Sequence, residues 1–267
     1  MSKPPSSPSL ATTGRPVVLV TGGAQRIGRA IVLLMAEQGW DVALHCRRSR
    51  VEAEATAAEA AELGAKVEVF AADLADAQAC EALLPAVLLR CGRLDAVVNN
   101  ASLFEYDDVA GFSPASMDRH WRANTAPAIV LARGLHEHLS GRGAQGSVVN
   151  LLDQKLVNPN PDYLSYTLSK AALASATVML AQALAPVLRV NAVSPGVTLA
   201  SGPMNAQEFG AAHGMTPLQR SSTPADIAAA VRFLLESPAI TGHNLLVDGG
   251  QHLQGQPRDV LFLARKE

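Results

Sequence analysis

The chain has 267 residues, 22 Lys plus Arg against 24 Asp plus Glu, a formal net charge of −2, and 48% apolar residues. Such an apolar chain excludes an intrinsically disordered protein, the balanced charge argues against a nucleic-acid binder, and the length suffices for a full α/β core. Cys46, Cys80 and Cys91 form no CxxC pair and have no His at ligand spacing, which excludes a disulfide framework and a cysteine-based zinc site and fits a reducing compartment.

Residues 1–15, rich in Pro and Ser without an apolar h-region, read as a flexible tail carrying no export signal. Short β-branched runs at 17–20, 42–44, 67–70, 96–98, 148–152, 190–193 and 245–247 then alternate with helical stretches near 26–38, 50–63, 76–91, 118–139, 163–185 and 224–236. Strand, helix, strand at this spacing predicts βαβ units, and right-handed crossovers turn these into one doubly wound parallel sheet with helices on both faces. A single domain over 16–267 follows, since no linker interrupts the pattern. The uncharged stretch 171–188 is Ala-rich and holds Ser175, Thr177, Gln182 and Pro186, so it reads as a buried helix rather than a membrane span. A cytoplasmic protein is expected. Segment 196–222 lacks periodicity and is expected to be a loop or lid over a site.

The first strand runs into Thr21-Gly22-Gly23-Ala24-Gln25-Arg26-Ile27-Gly28 and then a helix. Glycines in such a turn let the backbone approach a pyrophosphate, whose charge the free N–H groups of the helix N-terminus stabilise. After the second strand, a carboxylate would select the ribose hydroxyls of NAD. This chain has His45-Cys46-Arg47-Arg48-Ser49 instead, whose guanidiniums and hydroxyl suit the 2′-phosphate of NADP(H). The competing reading makes Arg47 and Arg48 solvated surface charges.

After the fifth strand come Asn150-Leu151-Leu152-Asp153 and then Tyr163-Leu164-Ser165-Tyr166-Thr167-Leu168-Ser169-Lys170. Tyr166 and Lys170, four apart, share a helix face, where an ammonium beside the phenol is expected to lower the Tyr pKa and help it deliver a proton as hydride arrives. In isolation such a pair is a packed ring and a surface amine; the nucleotide turn disfavours that. His136 and His138 diverge on a helix and no metal site is expected. Asp107-Asp108 reads as a solvated loop, and Ser165 and Ser169 lack a His placed to activate them.

Together, the TGxxxxxG turn, Asp73-Leu74, Asn99-Asn100-Ala101, Asn124, the Tyr166/Lys170 pair, Pro195-Gly196 and Val247-Asp248-Gly249-Gly250 resemble the short-chain dehydrogenase/reductase family over residues 16–253. The resemblance implies a Rossmann-type sheet of about seven strands, with Asp73 and Leu74 by the adenine and Asn100 and Ala101 along the dinucleotide. It also implies Lys170 on the nicotinamide ribose, Asn124 in a proton relay, and Gly22, Ile27, Gly28, His45, Leu151, Pro195, Gly196 and Thr198 among the cofactor contacts.

Three departures narrow the subgroup. Arg26 replaces the usual middle glycine; Ser102, then Leu103-Phe104, follows Asn-Asn-Ala; and Asp153 stands where Ser is usual. With His-x-x-Arg-Ser, these resemble the pteridine reductases and related dihydropterin reductases. That likeness implies a substrate site of Arg26, Ser102, Phe104, Asp153 and Tyr166, Phe104 stacking a pterin against the nicotinamide. The bland alternatives are a core or lid ring for Phe104 and a solvent-facing Asp153. An ionised carboxylate repels the oxyanion of a reduced ketone, whereas a carboxyl sharing a proton with Tyr166 can assist a ring nitrogen after hydride addition. The expected activity is NADPH-dependent reduction of a C=N bond in a dihydropterin or folate. The rivals are a ketone or 3-oxoacyl thioester reductase and a non-catalytic NADP sensor. Small residues along 118–139 and 163–185 (Ala123, Ala126, Ala128, Ala132, Ala171, Ala172, Ala174, Ala176, Ala181, Ala183), on helices that the family pairs between subunits, point to a homotetramer, with the 260–263 run at a second interface.

Overall fold

The β-branched runs pair into one sheet in a computed structural model that describes residues 14–200 and 204–264. Its strands are β1 (Val17–Val20), β2 (Asp41–Cys46), β3 (Val67–Ala71), β4 (Ala96–Asn99), β5 (Gly146–Leu151), β6 (Leu188–Pro195) and β7 (Asn244–Val247). They lie in the order β3-β2-β1-β4-β5-β6-β7, every neighbouring pair parallel. Alternation along β1 shows why both faces are covered. Val18 and Val20 pack with Ile31 and Met35 of α1 (Arg26–Glu37) and with Ile227 and Leu234 of α8 (Pro224–Glu236). Val17 and Leu19 pack on the other side with Leu83 and Val87 of α3 (Ala77–Cys91) and with Leu131 and Leu135 of α5 (Ala126–Arg142). The remaining long helices are α2 (Arg50–Glu62) and α6 (Leu164–Ala183). The order in which strands are added reverses between β1 and β4, so the crevice there, outside the C-terminal strand ends, is the place for a ligand.

Four expectations are revised. Of the tail expected at 1–15, residues 1–13 lie outside the described residues, and Arg15 is anchored: its guanidinium donates to the carbonyls of Gly64 and Ala36, both at 2.7 Å, and pairs with Asp41 at 3.4 Å. The helix expected at 118–139 is α4 (Pro114–His120), a π-helical turn (Trp121–Thr125) and α5. Pro127 has no N–H to give the preceding turn, and the wider turn instead runs Ala126 N–H to the Trp121 carbonyl. Segment 196–222 contains a helix, α7 (Ala206–Gly214), started by a capping box between Asn205 and Glu208. The apolar run at 260–263 forms α9 (Val260–Ala264), which packs on α7, with Val260 and Leu261 buried in the protomer itself. Phe262 and Leu263 of the same run are only partly buried. Ala128, Ala132 and Ala181 are spent in the protomer's own core. Among the described residues no helix is long and apolar enough to cross a membrane.

Candidate active site

The loops leaving β1, β2, β4, β5 and β6 surround a cavity of about 750 Å³. At one end lies the Gly22–Gly28 turn. Gly22 has φ +62°, and a Cβ on Gly28 would sit 2.1 Å from the Gly22 carbonyl oxygen and 2.6 Å from Asn100 Nδ2, so only glycine lets helix and turn approach this closely. Asn100 ties the turn down by donating Nδ2–H to the Thr21 and Gly22 carbonyls at 2.9 and 3.0 Å. Thr21 Oγ1 accepts from Asn100 N and Ala101 N at 2.9 and 3.0 Å. His45 is buried beneath: its Nδ1 accepts from Gly22 N at 3.2 Å and its Nε2 lies 3.0 Å from the Ala72 carbonyl. That pattern requires the neutral Nε2–H tautomer, and burial lowers the pKa in the same sense. His45 therefore shapes the turn with both nitrogens engaged.

Arg26 has φ +56°, a left-handed backbone that glycine would take freely, and its guanidinium reaches across the cavity to the Ala200 carbonyl at 3.0 Å. Arg47 and Arg48 are exposed and their guanidiniums are paired with nothing among the described residues, while the side chain of Ser49, which precedes α2, makes no capping bond. Gln25 likewise caps α1 with no side-chain bond, and no acidic residue stands in that first turn. Unpaired cations at the end of β2, an uncapped helix N-terminus and a glycine-only turn between them fit a phosphorylated dinucleotide. Ile27, Asp73, Leu74, Ala101, Ser102, Leu151, Pro195, Gly196 and Thr198 line the same cavity. Thr198 is fixed by the Gly196 carbonyl at 3.0 Å and Ser222 Oγ at 2.7 Å, and a Cβ on Gly196 would collide with Ser221 and Asp248.

At the other end Tyr166 Oη donates to Asp153 Oδ2 at 2.9 Å, and Asp153 Oδ1 accepts from Lys155 N at 2.9 Å. Burial pushes the Asp153 carboxyl up, outweighing both hydrogen bonds. Burial, then the neighbouring Asp153, holds Tyr166 well above its ordinary value. This reverses the expected lowering by Lys170. The Lys170 ammonium is turned to the Leu151 carbonyl, 2.7 Å away, lies 5.8 Å from the Tyr166 ring centre, and is itself lowered to about 8 by burial. Asp153 and Tyr166 thus favour a state that keeps the proton between them.

Phe104 stands over this pair, its ring edge-on to Tyr166 at 4.6 Å and stacked on Tyr163 at 4.2 Å; it lines the cavity and is 40% exposed. Asn124 is the one expected site residue that does not line the cavity. From the π-helical turn its Oδ1 accepts from Leu103 N at 2.6 Å, and its Nδ2 donates to the Leu103 carbonyl at 2.9 Å and Ser169 Oγ at 3.0 Å. Its side chain is a clamp on the strand-end loop that carries Phe104.

Several neighbours were not expected from the sequence. Lys155 is buried, donates to the Asp162 carbonyl and lies 3.7 Å from Asp259. Asp162 is held by Arg258 at 2.8 Å and by Asp259 N at 2.7 Å, which brings a segment 96 residues downstream to the cavity rim. No local pattern announces a pairing over that separation. Asp107, expected in a solvated loop, is buried against α6. Among the described residues no cluster of His, Cys, Asp and Glu suits a metal ion.

The family model described as enoyl-(acyl carrier protein) reductase matches residues 22–252. The crystal structures of FolM alternative dihydrofolate reductase 1 from Brucella canis and Brucella suis, each with NADP, are both 41% identical to this chain. Each covers 90% of it and 95% or 96% of its own length, with TM-scores of 0.83 and 0.86. The 1-cyclohexenylcarbonyl-CoA reductase of Streptomyces collinus is 30% identical over 91% of this chain and 89% of its own. The chain belongs to the short-chain dehydrogenase/reductase family of oxidoreductases and resembles its pteridine-reductase-like subgroup.

Proposed function

We propose that this enzyme uses NADPH to reduce a ring C=N bond of a dihydropterin or dihydrofolate. The observation that carries the reading is the 2.9 Å hydrogen bond from Tyr166 to a carboxyl that burial keeps inclined to hold a proton, beneath the open ring of Phe104. When bound, NADPH supplies the hydride. Arg47, Arg48 and Ser49 would hold its 2′-phosphate, the Gly22–Gly28 turn with Arg26 its pyrophosphate, and Lys170 its nicotinamide ribose. Phe104 would keep a flat heterocycle against the dinucleotide, and the Asp153–Tyr166 pair would deliver the proton to the ring nitrogen left electron-rich by hydride addition. The two similar Brucella proteins, dihydrofolate reductases by name and solved with NADP, support this choice.

A second reading, reduction of a ketone or 3-oxoacyl thioester, draws on the acyl substrates in the names of the matched family and the Streptomyces relative. A neutral Asp153 can also donate to a carbonyl oxygen, so the inclination of Asp153 toward its neutral form weakens the charge argument against it. NADPH oxidation measured against dihydrobiopterin, dihydromonapterin, dihydrofolate and an acetoacetyl thioester, with and without an antifolate, separates the two. Turnover of one or more pterins, blocked by the antifolate, is expected. Turnover of the thioester alone would refute the proposal.

A further inference from the structure

The loop carrying Phe104 and the helix carrying Tyr166 belong to different βα units, and their relative placement decides where a flat substrate sits against the proton donor. Asp107 joins them. Only 6% exposed, it accepts from Ser165 N at 2.9 Å through Oδ1, and from Ser165 Oγ and, at 3.2 Å, Ser116 Oγ through Oδ2. Its own carbonyl accepts from Leu164 N at 3.1 Å. Burial by itself would raise this carboxyl; the hydrogen bonds from Ser165 and Ser116 prevail and hold it below the ordinary carboxylate value.

Helix α6 needs such a partner. The residue before it, Tyr163, has φ +53° and gives no side-chain cap, so the first N–H groups of α6 are satisfied by Asp107 from another segment. The same segment is pinned at its other end, where Asn124 brackets Leu103. Between the two pins, Phe104 stacks on Tyr163 at 4.2 Å and Tyr106 meets Tyr163 edge-on at 5.1 Å. The stretch 103–107 is therefore held in one register against 163–166.

We propose that Asp107 is a positioning residue for catalysis: by holding the N-terminus of α6, it sets the Phe104 ring against the Tyr166 hydroxyl and so fixes the substrate face at the height from which Tyr166 and Asp153 can protonate it. The proposal rests on the reductase reading of the site, not on the choice between pterin and thioester.

The test is a double-mutant cycle of Asp107→Ala with Phe104→Ala, read as kcat/KM on whichever substrate the wild-type enzyme turns over, alongside NADPH affinity. Each single change should lower kcat/KM by about tenfold or more with NADPH affinity unchanged within about threefold. The double variant should fall no further than about threefold below Phe104→Ala, because Asp107 has no ring left to place. Multiplicative losses would overturn the proposal, as would weakened NADPH binding in proportion to the loss of rate. Asp107→Asn, which keeps an oxygen for Ser165 N–H and can donate to the serine hydroxyls, should stay within about threefold of wild type; a loss as large as that of alanine would also count against it. If Asp107→Ala does not fold, Ser165→Ala takes its place in the cycle with a smaller loss and the same non-additivity. Amide hydrogen exchange gives a reading independent of substrate: removing the carboxylate should loosen both 103–107 and 164–165 while β1 keeps its protection. Unchanged exchange at either segment refutes the link. A wild type inactive on every pterin would refute the substrate reading and would not touch the cycle.

Discussion

Asp153→Asn is the sharpest perturbation of the candidate site. In the wild type, Asp153 Oδ2 accepts from Tyr166 at 2.9 Å and Oδ1 from Lys155 N at 2.9 Å. An amide has one acceptor oxygen. Satisfying Lys155 N–H turns the NH2 toward Tyr166, whose hydroxyl must then accept rather than donate. The change removes the hydrogen bond that Tyr166 gives the carboxyl, worth about 1.5–3 kcal/mol when the carboxyl is charged, and the proton the carboxyl carries when neutral. A hundredfold fall in kcat corresponds to about 2.7 kcal/mol, so a loss of about 10²-fold on a dihydropterin is expected, with NADPH affinity unchanged. The pH profile carries a second signature. The raised carboxyl of the wild type must be protonated to act as acid, so the rate should fall as pH rises through that raised pKa. In the Asn variant this limb should vanish. Steady-state kinetics from pH 5 to 9 and cofactor titration by NADPH fluorescence measure both. Tyr166→Phe serves as the control for general loss of catalysis. Full turnover by Asp153→Asn with an unchanged pH profile would refute the shared-proton account.

Replacing both Arg47 and Arg48 with Ala should weaken NADPH binding by about 2 kcal/mol or more and leave NADH nearly unaffected, since hydrogen bonds to a charged group are worth about 1.5–3 kcal/mol; isothermal titration checks it, and equal wild-type affinity for the two cofactors would sink it. Lys170 is lowered to about 8 from 10.5, so its folded form disfavours the ammonium, and stability should rise as pH climbs from about 8 toward 10. Denaturation in urea across that range should show the rise in the wild type and lose it in Lys170→Met. We also propose a homo-oligomer built on a dimer: Leu168, Val178 and Met179 of α6 are 46%, 46% and 67% exposed, an apolar face that a second copy would cover. A monomer by sedimentation at micromolar concentration would contradict this.

What could be read from the sequence was local. Strand β1 is a continuous apolar run because both faces of a parallel sheet are covered, and the glycine turn, the basic end of β2 and the i, i+4 spacing of Tyr166 and Lys170 are each contained within a few residues. The errors came where partners lie far apart in the chain. Asp107 looked solvated because its charge has no nearby cation, but hydroxyls and N–H groups 9 and 58 residues away solvate it instead. Arg258 meets Asp162 over 96 residues. The break between α4 and α5 did leave a trace in Pro127, whose missing N–H forces a wider turn, yet nothing local says that Asn124 would use that turn to hold Leu103. The helix α7 was missed for a different reason: nine residues with a single buried side chain show no apolar period, and only its capping box marked it.

The same long-range bonds explain how the site tolerates its own chemistry. Asp153 is a carboxyl whose raised pKa makes its charged form unfavourable in the fold, and Lys170 an ammonium lowered for the same reason, so near neutral pH both groups work against stability. For Asp153 the sign is that of an acid raised on folding: its contribution is complete below the unfolded carboxyl value and is lost as pH rises through the folded one. Among the described residues neither group has an oppositely charged side chain in hydrogen-bond contact; Asp153 is held by Tyr166 and Lys155 N, and Lys170 by the Leu151 carbonyl. An ion pair at either position would recover stability but would take the proton out of play. The offset comes from groups that satisfy backbone atoms which would otherwise be left unpaired: Asp107 on the head of α6, Asn124 on Leu103, Asn100 and His45 on the glycine turn. At the catalytic end, rigidity is supplied by fully bonded groups around Asp153 and Lys170, and the carboxyl that shares its proton with Tyr166 is left without an ion pair among the described residues.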